Sequence, residues 1–234
     1  MPMLKDSHIT VKKVRIIMDS KIAKVLENLQ KNNMEAYFAK DKDEALKTVE
    51  SLIKKGDTVS VGGSVTLNEI GVLDLLSNGD YNFLDRYKKG LTPEEIRKVF
   101  TDTFAADSFL CSANAITESG ELYNIDGNCN RIAALTFGPK SVIVVAGKNK
   151  IVPTLKDAVL RVKTVAAPKN CIRLGLDTYC AKNGECVSLK VGDKYGMLCG
   201  CNSPDRICAT ATVTSMQRNK GRIKVIIVDE ELGY

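Results

Sequence analysis

The chain has 234 residues, of which 44% are hydrophobic and 26% charged, and it carries a net charge of +6. That is an ordinary globular composition, long enough to bury a core without staples, so one domain with at most a small appendage is the natural organisation. Lysines alternate with acids along helices, tryptophan is absent, and no recognition-helix or RNA-binding signature occurs, which argues against nucleic acid as the main ligand.

Residues 1–17 read as an N-terminal extension, because Met18 begins a plausible start of its own. Residues 1–19 mix charges without the apolar core of a signal peptide, and no stretch approaches the roughly 18 apolar residues of a membrane span. A cytoplasmic location is the expectation. Ile22, Val25, Leu26 and Leu29 recur at helical spacing. Residues 35–39 then read as a short strand. Asp41, with Glu44 three positions on, predicts a helix start whose stripe is Leu46, Val49 and Ile53. Residues 58–61 form a strand running directly into Gly62-Gly63-Ser64, followed by a helix over 66–76. Residues 81–84 read as a strand. Thr92-Pro93-Glu94-Glu95 combines a cap, a first-turn proline and a capping glutamate, with Ile96, Val99 and Phe100 as the apolar face.

Strands are predicted at 107–112, 121–125 and 141–146. The last, a β-branched run, has the continuous apolarity of a buried parallel strand. Leu155, Ala158, Val159 and Val162 predict a helix that stops before Pro168. After a cysteine-rich stretch, residues 222–228 supply a final central strand. Alternation of this kind gives an α/β fold with a Rossmann-like, mostly parallel sheet over 18–168 and 209–234, interrupted by a metal-binding excursion at 169–208.

Six of the eight cysteines lie in or at the edge of that excursion, between Cys171 and Cys208. In a cytosolic chain without a secretory leader, such crowding points to metal rather than disulfides. The spacing Cys180-x5-Cys186-x12-Cys199-x-Cys201-x6-Cys208 contains no C-x2–4-C zinc knuckle. A loop wrapped around a larger inorganic group suits it better. The expected set is a [4Fe-4S] cluster on Cys180, Cys186, Cys201 and Cys208, with Cys199 as the alternative ligand and zinc as the alternative metal. Residues 190–196 read as a loop insert within the site. Cys111, after an apolar run, is expected to be a core thiol, and Cys129, in a Gly/Asn loop, to line a pocket.

Two loops carry candidate chemistry. In the first, Gly62, Gly63, Ser64, Thr66 and Asn68 put backbone N–H groups and side-chain donors at a strand-to-helix turn suited to a carboxylate or phosphate. The plainer reading is a tight turn, with Thr66 and Glu69 closing a capping box. In the second, Asn114 and Thr117 follow one strand end, Asn128 lies in the turn after another, and Asn130 and Arg131 open the next helical stretch, positions that converge on the crevice of an open α/β sheet. There Arg131 would grip a carboxylate as a fork. Asp126 and Glu69 are the nearby groups able to do acid–base work. Lys148-Asn149-Lys150, just past a buried strand, is a third candidate edge.

The stretches GGSVTLNEIGV (62–72), SANAITESGELYNIDGNCNRIAALTFGPKSVIVVAGKNKIV (112–152) and NSPDRIC (202–208) resemble the LUD-domain family of lactate-utilisation proteins. The resemblance implies the fold shared by glucosamine-phosphate deaminase, ribose-phosphate isomerase and CoA-transferases. It also implies work beside iron–sulfur and flavin partner subunits that oxidise lactate to pyruvate. In one respect the chain departs from the family pattern: residues 187–200 separate Cys186 from Cys201, where the family's two cysteines stand only a few residues apart.

Three readings follow. One is an iron–sulfur accessory or electron-transfer component in oxidation of lactate or another 2-hydroxy acid. Another is a freestanding enzyme acting on a small carboxylated or phosphorylated metabolite, and a third is a zinc or thiol redox-responsive protein. Whether the chain is catalytic alone, and whether it forms a homodimer, the residues leave open.

Overall fold

The computed structural model describes residues 19–234; the expected extension at 1–17 lies outside them. Helix α1 (Ser20–Lys31) starts at Asp19, whose side chain accepts from the Lys21 backbone N–H, and it buries Ile22, Val25 and Leu29. Strand β1 (Glu35–Ala39) follows, then α2 (Lys42–Leu52), capped by the Asp41 carboxylate on the Glu44 N–H at 2.9 Å. Strand β2 (Thr58–Val61) ends where the glycine pair begins.

The single helix expected over 66–76 is two: α3 (Val65–Glu69) and α4 (Val72–Asn78). Gly71 between them has φ +81°, a left-handed conformation that ends the first helix and that glycine adopts without strain. Ser64 rather than Thr66 caps α3, accepting from the Leu67 N–H. Strand β3 (Asn82–Leu84) leads to α5 (Pro93–Asp102), where Thr92 and Glu95 form the reciprocal capping box that their spacing predicts.

Strand β4 (Ser108–Cys111), β5 (Ala115–Thr117), β6 (Leu122–Asp126), α6 (Asn130–Thr136), β7 (Ser141–Gly147) and β8 (Ile151–Val152) come next. Helix α7 (Leu155–Arg161) does not stop before Pro168. It passes through a π-turn at Val162–Ala166 into α8 (Ala167–Leu174), which carries the proline in its first turn. The π-turn just upstream accommodates the ring and the missing N–H of Pro168, so the helical run continues past it. Helix α9 (Tyr179–Asn183), β9 (Thr210–Thr214) and β10 (Ile223–Val228) complete the chain.

Six strands form one wholly parallel sheet in the order β1-β10-β7-β4-β2-β3. Along β7 the side chains alternate as the pleat requires: Val142, Val144 and Ala146 pack under α1 and α6, and Ile143 and Val145 under α2, α3 and α4. This is the helix-covered parallel sheet expected of its continuous apolar strands. A second, mixed sheet in the order β8-β5-β6-β9 lies against the α7–α8 helix, with Tyr123, Val152, Val159 and Val162 in the seam. Because the main sheet is parallel, the carboxyl ends of β2, β4 and β7 emerge along one edge. The chain leaves them as the Gly62-Gly63 turn, the Ser112–Asn114 bend and the Lys148–Lys150 turn.

Candidate functional site

A cavity of about 220 Å³ opens at that edge. Gly63, Ser64 and Val65 wall it from β2, Ser112 to Asn114 from β4, and Asp126 to Asn128 from β6. Asn130 and Arg131 enter from α6, Asn170 and Arg173 from α8, and Arg86, Lys150, Ile207 and Tyr234 close the remainder.

Arg131 is the strut of this edge. One guanidinium nitrogen donates to the Ser112 carbonyl at 3.0 Å and Asn124 Oδ1 at 2.6 Å. The other donates to Asn114 Oδ1 at 2.9 Å and the Ile125 carbonyl at 2.5 Å. The fork therefore grips the protein, joining β4, β6 and α6, and lends the cavity fixed positive charge. Gly62 fits beneath it: a Cβ there would lie 2.9 Å from Arg131 Cγ and 3.2 Å from Phe109 Cζ. Asp126 Oδ2 accepts from the backbone N–H groups of Arg131 and Ile132, so the carboxylate caps α6 while lining the cavity.

Lys150 is 3% exposed. Its ammonium nitrogen donates to Thr66 Oγ1 at 2.8 Å and Ser112 Oγ at 2.9 Å. Burial, with Arg161 and Arg131 nearby, pushes this lysine down to about 7. Arg161, itself lowered to about 10 by burial, donates to the Asn149 and Asn114 carbonyls. The residues Leu232–Tyr234 lie across the same edge. Glu69 Oε2 accepts from the Gly233 N–H at 2.6 Å, and Asn149 Oδ1 from the Leu232 N–H at 3.2 Å.

Of the candidate residues read from the sequence, the cavity gathers Gly63, Ser64, Asn114, Asp126, Asn128, Asn130 and Arg131. Gly62 and Thr66 stand one layer behind, against Arg131 and Lys150. Asn68 and Glu69 are exposed outside the lining. Thr117 closes the β5–β6 turn with Glu121, and Lys148 pairs with Asp229 at 2.9 Å. Arg86, Asn170, Arg173 and Tyr234 have no motif that would announce them, because they arrive from distant segments. Cys129 caps α6 at φ +63° with its sulfur 3.0 Å from Thr210 Oγ1.

The second feature is a small cavity lined by Cys171, Cys180, Cys186, Cys199, Cys201 and Cys208. All eight cysteines of the chain are free. Cys171, which the spacing does not single out, joins through α8 and is held below its ordinary range by a hydrogen bond from Cys180. Burial raises Cys208, against the pull of Arg206. The Arg206 guanidinium ties the cysteine loop together through the carbonyls of Leu198, Cys201 and Cys208. Its Nε is buried in this wall with no hydrogen-bond partner. The Cys186 N–H donates to the Lys163 carbonyl inside the π-turn at 2.9 Å. Among the described residues, no three His, Cys, Asp or Glu side chains are grouped to hold a single metal ion.

The donor set is all thiol, and Arg206 in the same wall keeps one N–H without a partner; an iron–sulfur cluster would use both, the sulfurs as ligands and the N–H as a hydrogen-bond donor.

Ile207 belongs to both cavities. So does α8, which presents Asn170 and Arg173 to one and Ala167 and Cys171 to the other.

A family model described as the LUD domain matches residues 22–228. A solved structure of a DUF162 family protein from Deinococcus radiodurans is similar at 15% identity and a TM-score of 0.48, covering 88% of this chain and 98% of that one. The eIF2B beta structure from Chaetomium thermophilum aligns at 18% identity and a TM-score of 0.34, over 48% of this chain and 43% of that one. Both are too distant to carry an argument about chemistry. No curated protein matches the chain. Among the described residues no helix is long and apolar enough to cross a membrane.

Proposed function

The chain belongs to the LUD domain family of lactate-utilisation proteins, and on that premise we propose that it is an iron–sulfur accessory or electron-transfer component in oxidation of lactate or a related 2-hydroxy acid. One observation carries the reading. A cavity walled by six thiols shares Ile207 and helix α8 with a cationic cavity at the sheet's carboxyl edge. A [4Fe-4S] cluster held by Cys180, Cys186, Cys201 and Cys208 would accept and release single electrons there.

The chain's own residues then have distinct tasks. Arg206 neutralises part of the thiolate charge and keeps the loop that carries Cys199, Cys201 and Cys208 closed. The buried Lys163 ammonium, donating to the Asp193 carbonyl at 3.0 Å, ties residues 187–200 to the π-turn and adds a second positive charge to the wall. Arg131 holds the cationic cavity's shape, and Lys150, Arg86 and Arg173 give it the sign that draws a carboxylate. Iron–sulfur and flavin subunits are the partners this role requires. A freestanding isomerase-type enzyme draws less support, since Glu69 is turned to the Gly233 N–H and Asp126 Oδ2 to the start of α6.

The test is anaerobic purification followed by iron, sulfide and zinc analysis of the same sample. Iron and acid-labile sulfide in near-equal amounts support the reading. A zinc protein sinks it, and so does a metal-free one whose thiols pair on oxidation and thereby alter partner binding.

A further inference from the structure

Lys150 is a buried cation held only by neutral partners. Thr66 Oγ1 passes its own proton to the Leu232 carbonyl at 3.3 Å, and Ser112 Oγ to the Ala113 carbonyl at 3.4 Å. Both hydroxyls therefore accept from the lysine nitrogen, and one tetrahedral position on that nitrogen is left over. Lys150 is one of the residues that line the cavity, and its remaining N–H is the donor left for a ligand.

The charged groups around it come from every neighbouring element. Arg131 stands on α6 and Arg161 on α7; Glu69 lies on α3, its carboxylate engaged by Gly233, and Cys111 on β4 is a neutral buried thiol. Arg86 and Arg173 also line the cavity, and Asp126 is the one acidic side chain of the lining among the described residues. The balance is cationic. A buried lysine without a carboxylate partner is costly to keep charged, and an arriving anion supplies that partner.

The space limits the ligand. At about 220 Å³ the cavity falls below the roughly 300–1,000 Å³ of pockets for drug-sized molecules. The single Asp126 carboxylate offsets only part of the cationic charge, which leaves the cavity suited to a small anion. Asn114, Asn128 and Asn130 offer donors and acceptors to a hydroxyl or carbonyl next to a carboxylate.

We propose that Lys150 anchors the carboxylate of a small 2-hydroxy or 2-oxo acid in this cavity, and that it takes up a proton as the ligand binds. The inference rests on the 2-hydroxy-acid reading for its substrate class but not on the cluster. Before binding, the lysine sits at about 7. A bound carboxylate raises it, so the ligand and one proton bind together and apparent affinity falls as pH rises past 7.

The test is calorimetric titration of the full chain with L-lactate, pyruvate and inorganic phosphate as separate probes, in buffers of different ionisation enthalpy. The expected result is carboxylate binding with about half a proton taken up at pH 7 and close to a whole one at pH 8. Lys150→Arg should bind without uptake, because arginine does not titrate there. Lys150→Met should bind ten- to a hundredfold more weakly, as loss of a hydrogen bond to a charged group implies. If Lys150→Met does not fold, the Lys150→Arg uptake measurement decides alone. Binding by the wild type without uptake, Lys150→Met affinity within about twofold of wild type, or tighter binding of phosphate than of both carboxylates would each overturn the proposal. Because the titration needs no iron, a metal-free protein that binds with uptake would refute the electron-transfer role and leave this site standing.

Discussion

Asn170 and Cys171 are successive residues of α8, and they look into different cavities: Asn170 into the cationic one, Cys171 into the thiol one. A single helix thus borders both the proposed anion site and the candidate cluster site. Asn170 Oδ1 accepts from Arg173 Nη2 at 2.8 Å and from the Tyr234 hydroxyl at 3.4 Å, so it positions two side chains of the cationic wall.

Asn170→Ala should therefore weaken carboxylate binding several-fold while leaving iron content unchanged. Titration and metal analysis on one preparation check both halves. Loss of iron in this variant would mean that the two cavities are not separable.

The thiols should divide into two groups. Serine at Cys180, Cys186, Cys201 or Cys208 should remove most of the iron, and serine at Cys199 or Cys171 should leave most of it. Iron per chain across the six single variants reads the set directly. A series in which Cys199→Ser empties the site and Cys201→Ser does not would reassign the ligand to Cys199.

Arg131 should matter for folding more than for charge. Arg131→Lys keeps the charge, but a single ammonium cannot reach the Ser112 and Ile125 carbonyls and both asparagine side chains. Leaving buried acceptors unpaired should cost about 3 kcal/mol. The urea midpoint checks it, and a lysine variant as stable as the wild type would contradict the strut role.

Cys111 is buried, and burial pushes its thiol up to about 11. Alkylation of the native protein near pH 8 should leave Cys111 unmodified and label it only after unfolding, as peptide mass spectrometry would show. The linkage has a definite sign. The unfolded thiol ionises near 8.5–9 and the folded one near 11, so the group's contribution to stability is intact below about 9 and declines as pH rises through 11. Cys111→Ala should shallow that alkaline decline.

The main sheet was legible because its signals are local. Residues 35–39 and 58–61 stand as strands as their patterns require, and Thr92 with Glu95 closes the capping box. Gly71 breaks a helix whose apolar spacing runs straight through it. At Pro168 the reverse holds: a proline ordinarily ends a helix, but the π-turn upstream lets α7 continue into α8. Strand β9 depends on pairing with β6 across a long stretch of chain, which no local pattern encodes, and β5 is a three-residue arm of the β5–β6 hairpin. The cavity was half legible for the same reason. Ser64, Asn114, Asp126 and Asn128 follow strand ends visible in the sequence, whereas Arg86, Asn170 and Tyr234 reach the cavity only through the fold. Cys171 was hidden because its neighbours in sequence are helical and its thiol partners lie further along the chain.

The most direct test of the central claim is the inorganic content of the protein purified without oxygen. The account predicts about four irons and four acid-labile sulfides per chain, lost together on replacing Cys208. One zinc per chain, or thiols that titrate as free with no metal present, would contradict it.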